Sequence, residues 1–138
     1  MFDTIRLNIP QESVPEIDLL SEIPTRFESP TYGSNGDREW YSGYHQNLKW
    51  SVNKRALSIA GSLCKYHNGN NYENIGPDGI SKAITDLSKA FGVNIFEANV
   101  SQMDFAINFF VKNEPKHYFK YLGKYPYIQN RHINNDST

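Results

Sequence analysis

The chain has 138 residues, enough for one domain and short for two. Hydrophobic residues make up 38% and aromatics 14%, so large rings must supply much of the buried area, and the composition is not that of a disordered chain. A formal net charge of -1 excludes a surface that is basic in bulk, so nucleic-acid binding requires Lys and Arg gathered locally.

In chain order, residues 2–9 read as a half-buried strand, because Ile5, Leu7 and Ile9 alternate with Thr4, Arg6 and Asn8. Pro10 ends it. Residues 12–22 suit a short helix or an irregular crossing. Residues 24–36, with Pro24, Pro30, Gly33 and Gly36, read as loop. A strand over 38–45 contains Trp40. A hairpin follows: Leu48, Trp50 and Val52 alternate with Lys49 and Ser51, Asn53-Lys54 suits the turn, and Leu57, Ile59 and Leu63 alternate with Ser58, Ala60 and Ser62.

Residues 64–79 carry the strongest loop signal. Asp78 or Ser81 is expected to cap a helix over 80–91, whose Ile80, Ile84, Leu87 and Phe91 share one face, and Gly92 to stop it. Over 98–111 a strand is expected with Met103, Phe105, Ile107 and Phe109 on one face and Gln102, Asp104, Ala106 and Asn108 on the other. Residues 115–122 read as a helix beginning at Pro115. The expected architecture is α+β: an antiparallel sheet with two or three helices mainly on one face, forming a single domain over 1–127 before a polar, frayed tail at 128–138.

A single cysteine, Cys64, rules out an internal disulfide framework or a Cys-rich zinc site and points to a reducing compartment, the cytoplasm. The N-terminus lacks a signal-peptide pattern, and no apolar run approaches the length of a membrane span. His45, His67, His117 and His132 form no local metal motif and read as surface or loop residues. Cys64 reads as buried and inert at a strand end.

Asp104 is the main chemical candidate, because a charge at a strand centre needs solvent, a partner or a metal. It is either a metal-ligand or phosphate-side carboxylate, or an acid on a solvated sheet face or in an ion pair with Arg6 or Lys49. The tyrosines leave two options open. With neighbouring Lys, as in Lys65-Tyr66 and Lys120-Tyr121, they suit base stacking; alone they patch a core or a protein interface. The candidate binding residues are Arg6, Lys49, Lys65, Tyr66 and Tyr72, together with Gln102, Asn108, Lys120 and Tyr121. No P-loop is present, since Gly33-Ser34-Asn35-Gly36 lacks the following Lys.

The opening strand Phe2–Pro10, the segment Leu57–Tyr66 followed by Gly69-Asn70-Asn71, the amphipathic helix and the strand Val100–Asn108 succeed one another in an order that resembles the replication-initiation proteins of filamentous phages and related plasmids, the gene II/X type. The similarity spans most of residues 1–127. It implies a family that nicks an origin through a tyrosine with a divalent metal, magnesium or manganese. Only Asp104 carries over as a site residue, a metal ligand. The strand reads Ser101-Gln102-Met103-Asp104 where the family has Ser-Arg-Ile-Asp or Thr-Arg-Ile-Asp, so the cation is replaced. The family's nucleophilic tyrosine lies in a half beyond this length, so no catalytic residue is assigned here.

Three functions follow as expectations. The first is a non-catalytic phage or mobile-element protein, related to the N-terminal half of a rolling-circle initiator, that binds single-stranded DNA or RNA or a nucleoprotein complex. The second is an anti-CRISPR inhibitor of a host RNA-guided nuclease or its guide RNA. The third is a metal-dependent nicking enzyme completed by a missing half or by dimerisation.

Overall fold

Alternation of apolar and polar side chains organises most of the structure, a computed structural model that describes residues 2–105 and 112–117. The chain divides into two units, Met1–Ile107 and Asn108–Thr138. In the first, six strands form one sheet: β1 (Phe2–Pro10), β2 (Thr31–Asn35), β3 (Arg38–His45), β4 (Leu48–Asn53), β5 (Ala56–Gly61) and β6 (Asn99–Phe105). Their order is β2-β3-β4-β5-β1-β6, and every neighbouring pair is antiparallel. Three helices accompany the sheet: α1 (Leu19–Glu22), α2 (Leu63–Asn68) and α3 (Pro77–Phe91). The architecture is α+β, as the pattern of hairpins and one long amphipathic helix predicts.

The core lies between one sheet face and the helices. Strand β4 alternates strictly between buried Leu48, Trp50 and Val52 and exposed Lys49, Ser51 and Asn53. Register aligns Trp50 with Ile59, Ile59 with Leu7, and Leu57 with both Val52 and Ile9, so the buried set forms a continuous floor. Ala83, Ile84, Leu87 and Phe91 of α3 and Leu63 and Cys64 of α2 close over it. Gly43 lies opposite Trp50, and a Cβ on Gly43 would come 2.8 Å from Trp50 Cζ2, so the indole fills the space a side chain would take. Among the described residues Trp50 Nε1–H finds no acceptor; the ring packs instead on Phe27 at 5.0 Å between centroids.

Two segments read as loop are ordered elements. Within 24–36, Thr31–Asn35 is β2, paired with β3 through the Gly36-Asp37 turn. Its residues are largely exposed, so it has no apolar period of its own, and its stability comes from pairing with β3. Within 64–79, Leu63–Asn68 is α2. The Ser62 hydroxyl accepts from Lys65 N–H at 3.2 Å, and Gly69, at φ 78°, ends the helix. Six residues are too few to display a 3.6 period; docking of Leu63 and Cys64 holds it. Leu63 therefore belongs to α2 and not to the preceding strand.

Helix α3 begins at Pro77 and is capped by Gly76, with no side-chain cap from Asp78 or Ser81. Pro77 has no N–H to satisfy, and this replaces the expected cap chemistry. Gly92, at φ 68°, stops the helix as expected, and a Cβ there would run into the Arg26 guanidinium, a cation held over the helix C-terminus.

Among the described residues strand β6 lies at the edge of the sheet. All seven of its residues are exposed, Met103 by 38% and Val100 by 52%, because the helical layer covers β4, β5 and β1 and stops short of it. The apolar side expected to be buried is thus open among the described residues; Ile107 and Phe109 fall outside them. In the second unit, residues 112–117 contain a 3-10 turn, Pro115–His117, with Lys116 Nζ 2.6 Å from Glu114 Oε2. The remainder of the expected helix over 115–122 and the tail at 128–138 lie outside the described residues.

Candidate functional site

The sheet face away from the helices is polar, and antiparallel register sets it out in rows. One row runs Gln102, Arg6, Ala60, Lys49, Tyr44 across β6, β1, β5, β4 and β3. The next runs Asn99, Asn8, Ser58, Ser51, Ser42, Thr31. In the first row two exposed cations flank one small residue. Arg6 and Lys49 stand two strand spacings apart, roughly 10 Å, with the Ala60 methyl as the floor between them. Beside Lys49, Tyr44 is 68% exposed.

Trp40 extends this face towards the β2–β3 hairpin. It is paired with Gly33, and a Cβ on Gly33 would run into the indole, so the ring rests on bare backbone. One side of the indole is covered while the residue stays 37% exposed, which leaves a fixed aromatic surface facing solvent. An open depression of about 780 Å³ adjoins it, bounded by Asp37 of the β2–β3 turn and Arg38 at the start of β3, by Lys54 and Arg55 of the β4–β5 turn, and by Lys49. The second turn is held by the Asn53 side chain and by the backbone of Gln11. Asn53 Oδ1 accepts from Arg55 N–H at 2.7 Å and Ala56 N–H at 3.1 Å, and Arg55 O accepts from Gln11 N–H at 2.7 Å.

The residues singled out from the sequence separate into three groups. Arg6, Lys49, Gln102 and Asp104 come together on the open face, since Thr4 pairs with Asp104 and Arg6 with Gln102. Lys65, Tyr66 and Tyr72 belong to the helical layer instead: Lys65 and Tyr66 sit on α2, and Tyr72 follows it. Asn108, Lys120 and Tyr121 lie outside the described residues.

Asp104 is exposed and accepts from Gln102 Nε2 at 3.3 and 3.2 Å, one contact to each carboxylate oxygen. Among the described residues neither Arg6 nor Lys49 forms an ion pair with it. Nor does any group of three or more His, Cys, Asp or Glu side chains gather there to hold a metal ion, among the described residues.

His45, read as a surface residue, is half-buried at the end of β3 among Phe27, Tyr66 and Phe91, with ring centroids 5.6, 5.7 and 5.9 Å away. Its odd position in β3 points it to the core side. Burial lowers its pKa below the ordinary 6.5. Tyr66 Oη stands 3.4 Å from His45 Nε2. Burial, and secondarily the Asp86 charge, raise the Tyr66 phenol above its ordinary value. This pair is a polar contact inside an aromatic cluster, away from the open face.

Sequence reasoning missed Trp40, Tyr44, Arg38, Lys54 and Arg55 as site residues. The signal was present: Trp40, Ser42 and Tyr44 share one parity in β3, and a tight hairpin would have aligned that parity with Lys49. No family model, curated protein or solved structure matches the chain. Among the described residues no helix is long and apolar enough to cross a membrane.

Proposed function

We propose that the open sheet face binds single-stranded nucleic acid without cutting it, in a phage or mobile-element protein akin to the N-terminal half of a rolling-circle replication initiator. The observation that carries this reading is the Arg6–Ala60–Lys49 row ending at Tyr44. A single strand offers two things, a line of phosphates and a series of π faces. The cations flank a floor low enough for the backbone to approach, and Tyr44 and Trp40 supply the stacking surfaces. A net charge of -1 is compatible with this because the cations are local.

The test is fluorescence anisotropy of a labelled thymidine oligonucleotide against the full chain over a salt series. For single strands, log affinity should fall with log salt by about 0.7 per phosphate contacted. Trp40→Ala combined with Tyr44→Ala should weaken binding at every salt concentration. Salt-independent affinity, or affinity untouched by that pair of changes, overturns the reading.

A second reading, an inhibitor seated on a host RNA-guided nuclease, draws on the open apolar side of β6, where Val100 and Met103 are exposed. It predicts that the protein co-purifies with such a nuclease from host cells and binds free oligonucleotides poorly.

A further inference from the structure

The depression beside Trp40 holds charges of both signs that do not pair with one another. Asp37 contributes a carboxylate; Arg38, Lys54 and Arg55 contribute cations. Among the described residues of the first unit no salt bridge joins them. Glu39 has the opposite parity to Trp40, and its Oε1 accepts from Tyr32 Oη at 3.1 Å on the other face, so Asp37 is the acceptor on this side. The site therefore presents separate acceptors and donors around an indole whose far side is occupied by Gly33. Its volume of about 780 Å³ falls in the range that takes a small ligand.

We propose that this depression is a subsite for one unstacked guanine of the bound strand, an inference that rests on the nucleic-acid reading above. Ionised carboxylates only accept hydrogen bonds, and guanidinium groups only donate. A base edge that matches both must place adjacent donors beside an acceptor. Guanine does so, with N1–H and N2–H next to each other and O6 alongside. Adenine and cytosine set a lone amino donor beside ring acceptors, and thymine and uracil set one N–H between two carbonyls. Guanine stacked on Trp40 would direct its two donors to Asp37 and its O6 to Arg38. Lys49, Lys54 and Arg55 remain for the flanking phosphates.

The experiment measures anisotropy of short thymidine oligonucleotides with one central dG, dI, dA, dC or dT, and of the matching uridine RNAs, which report the sugar preference. The central guanine should bind roughly tenfold more tightly than adenine or cytosine, the scale of one bidentate base contact. Hypoxanthine, lacking the N2 amino group, should fall between. Asp37→Asn should abolish the preference without weakening binding of the all-thymidine strand. That change lies on an exposed side chain, and an unchanged melting midpoint checks the fold. Equal affinity for every central base, or a guanine preference that survives the variant, overturns the subsite while the single-strand reading stands. Failure of every oligonucleotide to bind overturns both.

Discussion

Arg6 and Lys49 face the same side of the sheet with only Ala60 between them: β1 pairs Arg6 with Ala60, and β4 pairs Lys49 with that same residue. Both cations are exposed, and neither forms an ion pair among the described residues. Two like charges carried on backbone positions roughly 10 Å apart repel weakly and gain from a polyanion laid between them.

Replacing either cation should therefore separate binding from stability. Arg6→Ala and Lys49→Ala should each weaken single-strand binding and make the salt dependence shallower by about 0.7 in slope. The thermal midpoint should hold or rise slightly as repulsion is relieved. Salt-series anisotropy and thermal melts read the two effects independently.

Tyr44 should act through its ring and not its hydroxyl. Tyr44→Ala is expected to reduce affinity roughly tenfold, in line with loss of one stacked base, whereas Tyr44→Phe keeps it. A Tyr44→Phe loss as large as the alanine loss would assign the contact to the hydroxyl.

The two tryptophan–glycine pairs should respond differently to an added methyl. Gly43→Ala drives a Cβ against Trp50 in the packed core and should cost about 1–3 kcal/mol in a urea titration. Gly33→Ala pushes Trp40 off the open face, where solvent can receive it, so stability should change less and binding more.

His45 predicts a pH dependence with a definite sign. Its folded pKa lies below 6.5, so the unfolded chain takes up the proton first as pH falls. Its contribution to stability is full above 6.5 and declines as pH drops towards the folded value. His45→Phe keeps an aromatic ring among Phe27, Tyr66 and Phe91 and should flatten the acid side of the stability profile, measured as urea midpoints against pH.

Strand scission should be absent from the isolated chain. Incubated with magnesium or manganese, it is expected to leave a labelled origin-type oligonucleotide intact, and Asp104→Ala should change nothing on a denaturing gel. A metal-dependent cut abolished by Asp104→Ala would make Asp104 a working ligand and favour the nicking alternative.

What the sequence by itself determined is local. Period-2 alternation assigned faces within β1, β4 and β5, and Ile84, Leu87 and Phe91 marked the buried stripe of α3, because side-chain parity follows from backbone geometry alone. Apart from the β4–β5 hairpin, legible in alternation and the Asn53-Lys54 turn signal, the tertiary structure decided what lies beside what. Short or exposed elements such as α2 and β2 take their stability from neighbours and show no period of their own. Arg6 meets Lys49 because β1 inserts beside β5, and Lys65 and Tyr66 part from them because α2 docks on the opposite side. Strand partners are chosen by the fit of buried faces across the whole sheet, and that choice is not written in the spacing of any one segment.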